Sequence, residues 1–128
     1  MKSWISAAAL MACLATAGVP TANAHSKVVA STPAQGAKVS APKTVVLNFS
    51  EALIPPTASV AIVMTAMPGV KNHGEMVIRN FTQSWSDNNR IWTLKLRQPL
   101  RTGSYDIRWQ AAGADGHRMK GTVNFIVN

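Results

Sequence analysis

The chain has 128 residues, 13 Lys and Arg against 5 Asp and Glu, a formal charge of +8 and one cysteine. That length admits a single domain, and one cysteine excludes an internal disulfide framework. Apolar residues make up 47%, enough for a modest core, but they are unevenly spread.

The first 24 residues hold the only long apolar run. Lys2 gives a short positive start, residues 4–19 form the apolar stretch, and Pro20 ends it before Ala22-Asn23-Ala24, a small-x-small cleavage site. This reads as a secretory signal peptide over residues 1–24. The stretch is shorter than the roughly 20 residues of a comfortable transmembrane helix. Two alternatives stay open: Cys13 behind Leu10-Met11-Ala12 weakly resembles a lipoprotein cleavage box, and the segment could remain as an uncleaved anchor. Cleavage after Ala24 would leave one domain over 25–128, beginning with His25 and free of cysteine. Its 12 basic and 5 acidic side chains would point to nucleic acid in a cytosolic chain. Export argues against that, so no nucleic-acid partner is expected. The basic residues also mostly alternate with apolar ones, as on solvated strand faces; attraction to an anionic membrane surface or an acidic partner is the alternative.

Beyond His25 the chain reads as short strands at 27–31, 44–49, 59–65, 76–81, 90–96, 104–111 and 121–127, rich in Val, Ile, Trp and Phe. Val45, Leu47 and Phe49 share one face, as do Tyr105, Ile107 and Trp109, and Val123, Phe125 and Val127. Between them lie turn formers: Pro33 to Pro42 with Gly36, Pro55-Pro56, Pro68-Gly69, Ser86 to Asn89, Pro99 to Gly103 and Gly113 to Gly116. The expectation is an all-β fold, a seven-stranded Greek-key β-sandwich, with a partly open barrel as the alternative. Trp85, Trp92 and Trp109 are expected in the core or shielding a site.

Three histidines carry the candidate chemistry, and none lies in a zinc-hydrolase motif. An N-terminal His25 would offer its α-amine and its imidazole to one metal ion, and both lose protons far more readily than lysine. Asp115-Gly116-His117 places a carboxylate and an imidazole two positions apart, on one side of an extended backbone. Together they make an N,N,N,O set suited to Cu(II); an ordinary solvated loop is the competing reading. A second cluster runs from Met64 through Met67 and His73 to Met76. Thioethers are soft ligands that prefer Cu(I), although Met64 also continues the face of Val60 and Ile62 and fits a core position.

Several separated segments, in order, resemble the periplasmic copper-resistance family known as CopC: His25 to Gly36, Leu47-Asn48-Phe49-Ser50-Glu51-Ala52-Leu53, Met64-Thr65-Ala66-Met67-Pro68-Gly69, and Tyr105-Asp106-Ile107-Arg108-Trp109 through Asp115-Gly116-His117 to Phe125. The resemblance implies a cupredoxin-like or immunoglobulin-like sandwich that carries copper in the periplasm without enzymatic activity. It implies Cu(II) at His25, Asp115 and His117, and a supporting or weak axial role for Glu51, for which a plain surface carboxylate is the alternative. It also implies Cu(I) at Met64, Met67, His73 and Met76, although Val70 stands where the family has a further methionine and the spacing to His73 is one residue longer.

The expected function is a monomeric periplasmic copper carrier or buffer contributing to copper resistance and homeostasis. It would exchange the ion with an inner-membrane transporter or another periplasmic copper protein. A structural or adhesive β-sandwich and a small copper oxygenase are the alternatives.

Overall fold

Alternation decides the inward faces. In the computed structural model, which describes residues 27–128, Val45, Leu47, Phe49, Tyr105, Ile107, Trp109, Val123, Phe125 and Val127 are all buried in one core. The expected signal peptide, 1–24, and His25 lie outside the described residues.

The strands are β1 (Val28–Thr32), β2 (Lys38–Val39), β3 (Thr44–Phe49), β4 (Ser59–Ala66), β5 (Met76–Ile78), β6 (Phe81–Ser86), β7 (Ile91–Leu96), β8 (Gly103–Ala112) and β9 (Arg118–Val127), with one 3-10 turn at Pro55–Thr57. They form two sheets, β1-β3-β7-β6 and β2-β9-β8-β4-β5, which close on the shared core as a β-sandwich.

Among the described residues nine strands replace the seven expected, for local reasons. The run 76–81 divides: its first part pairs with β4, the chain leaves that sheet at Arg79 and Asn80, and Phe81 begins a strand paired with β7. The Asn80 carbonyl accepts the Arg97 N–H (2.9 Å), fixing the crossing. Strand β6 reads Phe-Thr-Gln-Ser-Trp-Ser, too polar to announce itself, because it is an edge strand. Two residues, Lys38 and Val39, pair parallel to β9 and add the last strand. The expected turn at Ser86 to Asn89 is present, with Asp87, Asn88 and Asn89 all at positive φ, a conformation these residue types tolerate better than most.

Trp92 lies at the centre of the β3-β7-β6 layer. Trp85 stacks on it at 4.5 Å, Phe49 sits 6.4 Å away, and Phe49 meets Trp109 edge-on at 4.9 Å. Trp92 Nε1–H donates to Gln83 Oε1 (3.1 Å), so its polar edge is satisfied. Trp109 reaches over Gly121, its partner on β9, where a Cβ would fall 2.8 Å from the indole. A side chain there would displace the ring.

Candidate metal centres at the two ends of the sandwich

The β8–β9 hairpin sets one end. Gly113 N–H donates to the His117 carbonyl (3.0 Å), and Gly116 N–H to the Gly113 carbonyl (2.9 Å). Gly116 adopts φ 82°, as a three-residue hairpin loop with a left-handed final residue requires. Asp115 and His117 therefore meet across the turn expected at Gly113 to Gly116, and not along the extended backbone assumed for the pair: Asp-Gly favours the turn. Asp115 Oδ1 accepts the His117 backbone N–H and Oδ2 contacts His117 Nδ1, both at 3.0 Å. A carboxylate can only accept, so Nδ1 carries the proton and the neutral ring has its lone pair on Nε2. The His117 side chain is 69% exposed and that of Asp115 33%.

Two further segments come to this end. Lys27 N–H donates to Ser50 Oγ (3.1 Å) and Ser50 N–H to the Lys27 carbonyl (2.9 Å), which pins the start of β1 beside the end of β3. The next residues, with Glu51 half-buried among them, run to Leu53, which bridges Gly113 at the base of the hairpin. A clip holds that loop in place. Ile54 N–H donates to the Ala112 carbonyl (2.9 Å), while the Thr57 hydroxyl accepts the Ala112 N–H (2.9 Å) and donates to the Ile54 carbonyl (2.6 Å). Among the described residues no three His, Cys, Asp or Glu side chains gather as a metal-holding group. Asp115 and His117 are the two such side chains that the hairpin itself brings together.

The opposite end gathers thioethers. Met64 on β4 lies opposite Met76 on β5 and, on its other side, opposite Tyr105 on β8. Met67 heads a turn in which Val70 N–H donates to the Met67 carbonyl (3.1 Å). Pro68 and Gly69 fill its two central positions, with Gly69 at φ 76°, the signature of a type II turn. Met64, Met67 and Met76 line one cavity of about 230 Å³, together with Tyr105, Arg101, Asn80 and Gln98. Among the described residues no carboxylate lines it. Met64 is 2% exposed and Met76 48%, so the set runs from core to surface. Met64 belongs to the core cluster and also lines the cavity.

His73 stays outside the cavity lining. Its Nδ1 is nevertheless buried with no hydrogen-bond partner, the one such side-chain nitrogen or oxygen among the described residues. Val70, which closes the turn, is exposed. Tyr105 donates its hydroxyl to the Arg101 carbonyl (2.7 Å) at the cavity wall, and burial pushes its pKa up.

Sequence reasoning missed one feature here. Glu75, just before Met76, pairs with Arg108 of β8, whose hydrogen bonds and charge hold its carboxyl below the ordinary range. The Asp106-x-Arg108 alternation marked a polar strand face without indicating a partner.

The ends are well separated. From Tyr105, opposite Met64, to Gly113 the chain follows β8 for eight residue steps, roughly 25 to 30 Å of strand.

The CopC domain family matches residues 28–128. Copper resistance protein C of Pseudomonas syringae pv. tomato is 37% identical over 106 residues, 83% of this chain and 82% of that protein. The solved structure of PcoC, a methionine-rich copper resistance protein from Escherichia coli, aligns with a TM-score of 0.72 at 30% identity, covering 82% of this chain and 100% of that one. The copper transport protein CutJ of Bacillus subtilis is 29% identical over 108 residues, 84% of this chain but 19% of that much longer protein.

Proposed function

The chain belongs to the CopC family, and from that premise we propose that this copper-binding, copper-resistance protein holds Cu(II) at its hairpin end and Cu(I) at its methionine end. The observation that carries the Cu(II) half is convergence. Lys27 is fixed beside Ser50, and the Asp115–His117 hairpin is bridged to the same loop. His25 precedes Lys27 by two residues, a reach of at most about 7 Å.

The chemistry of the donors fits Cu(II). An α-amine titrating near 8 and an imidazole near 6.5 both give up their protons to a metal far more readily than a lysine does. Donation of Nδ1–H to Asp115 fixes the His117 ring and raises the basicity of Nε2, the usual support of a metal-ligating histidine. The Asp115 carboxylate adds negative charge, and it becomes an oxygen donor when it turns from Nδ1–H to the ion; nitrogen and oxygen donors suit the tetragonal preference of Cu(II). Glu51, on the loop beside the hairpin, is a further carboxylate within the same end.

The methionine end has the opposite character. Three neutral thioethers facing one cavity without a carboxylate favour a soft monovalent ion over a divalent one. His73 supplies the fourth donor in this reading. A buried nitrogen without a partner costs about 1–3 kcal/mol, and a soft cation on its lone pair would relieve that cost.

The role is a periplasmic carrier or buffer, without catalytic turnover: two sites of different softness hold one metal in either oxidation state. Residues 1–24 serve as the export signal, and their removal creates the amine ligand at His25. Exchange of copper with an inner-membrane transporter is the favoured route, supported by the matching segment within the CutJ copper transport protein; another periplasmic copper protein is the alternative acceptor. Intact mass of the exported protein, followed by Cu(II) titration against a form carrying one extra N-terminal alanine, tests the chelate. The extended form is expected to bind Cu(II) about tenfold or more weakly, and equal affinity would refute amine ligation.

A further inference from the structure

Residues 67–75 carry Met67 and His73 and lead into Met76, yet little holds them. The Met67–Val70 turn secures the first four. The far end enters β5, an edge strand of three residues paired with β4 alone, and so short an edge is a weak anchor.

Among the described residues, Glu75 is the one residue of 67–75 whose side chain makes a hydrogen bond. Its two carboxylate oxygens accept from Arg108 Nη2 (2.6 Å) and Nη1 (2.9 Å), and Nη2 also donates to Asp106 (3.1 Å). Exposed ion pairs contribute little singly, but a bidentate guanidinium with a third charged partner is the exception, because the planar fork fixes orientation as well as distance.

Register shows what the link crosses. Arg108 is opposite Ala61 on β4, Asp106 is opposite Val63, and Met76 is opposite Met64, so Glu75 enters beside Thr65. The path from Arg108 to Glu75 therefore runs diagonally over β4 at Val63. Val63 is only 2% exposed although it stands outside the inner core cluster; it faces outward between Val77 and Asp106, under that path.

We infer that Arg108, braced by Asp106, is a strap that holds Glu75 against the sheet and thereby keeps Met76 opposite Met64, setting the strength of Cu(I) capture. This rests on the methionines being the Cu(I) ligands. Arg108, Asp106 and Glu75 are positioning residues: the strap pre-forms the thioether set that an untethered edge strand would have to assemble at each binding event.

The experiment uses the exported protein and Glu75→Gln, with Arg108→Lys as a variant that keeps the charge and loses the fork. Glu75→Gln is expected to bind Cu(I) about three- to tenfold more weakly, Arg108→Lys to fall between it and the wild type, and Cu(II) affinity to stay unchanged in both. Raising the salt concentration should weaken Cu(I) binding by the wild type towards that of Glu75→Gln, whose own affinity stays flat. In the copper-free protein, amides of Met76–Ile78 should exchange faster in Glu75→Gln. Unchanged exchange at those amides overturns the strap without reference to copper. Unchanged Cu(I) affinity in Glu75→Gln, with binding still abolished by methionine substitution, overturns the strap and leaves the methionine site standing. A wild type that binds no Cu(I) overturns both.

Discussion

His117→Ala is expected to lower Cu(II) affinity by on the order of a hundredfold or more while leaving Cu(I) binding within twofold of the wild type. Loss of a supporting residue around a metal typically costs about 10–100-fold, and loss of a nitrogen ligand from a three-nitrogen set should cost at least the upper part of that range. The substitution is well placed to isolate chemistry from folding. The side chain is 69% exposed, the hairpin closes through backbone groups of Gly113 and His117, and neither is altered. Asp115→Asn provides the graded comparison: its side-chain oxygen can still accept the His117 backbone N–H, but the charge and one oxygen acceptor are gone. An intermediate loss of about 10–100-fold is expected. Competition with a chelator of known Cu(II) affinity reads both variants, and a His117→Ala protein within twofold of the wild type would remove this histidine from the site.

The second large effect lies at the other end. Met67→Leu with Met76→Leu should abolish measurable Cu(I) binding and leave Cu(II) affinity unchanged. Leucine conserves volume and apolarity, so the cost in stability should stay under about 1.5 kcal/mol; what is removed is sulfur. Met64→Leu separates two roles that coincide in one side chain. Met64 is buried against the core and lines the cavity; if it only packs, the leucine variant keeps full Cu(I) affinity, whereas a ligand role predicts a loss comparable to either of the others. Equal retention of Cu(I) in the double variant and the wild type would sink the methionine assignment. A parallel loss of Cu(II) would indicate one shared site in place of two.

The strands that could be read from the sequence are those in which one face is fully committed to the core. Val45, Leu47 and Phe49, or Val123, Phe125 and Val127, alternate because the other face meets water. Strand β6 escaped because an edge strand buries little, and only Phe81 and Trp85 mark it. The sheet switch at Arg79 and Asn80 escaped because both sides of it are extended backbone, and local patterns carry no record of which sheet a strand joins. The thioethers were legible as a group since they lie within 13 residues. Their convergence on one cavity needed the antiparallel pairing of Met64 with Met76. The Glu75–Arg108 pair was invisible for a similar reason: 33 residues separate the partners, and only the order β8-β4-β5 brings them across one intervening strand. Asp115 and His117 illustrate a smaller failure. The turn at Gly113 to Gly116 was legible, but the carboxylate folded onto the following histidine replaced the extended backbone assumed for the pair.

Simultaneous occupancy tests the two-site account most directly. The exported protein, beginning at His25, is loaded with one equivalent of Cu(II), and its paramagnetic resonance spectrum is followed under anaerobic conditions while Cu(I) is added as a preformed acetonitrile complex. The account predicts a second equivalent bound, sulfur coordination at the Cu(I) X-ray absorption edge, and a Cu(II) signal that keeps its amplitude and nitrogen hyperfine pattern, because the ends stand roughly 25 to 30 Å apart. Release of one equivalent of Cu(II) for each Cu(I) taken up would contradict it.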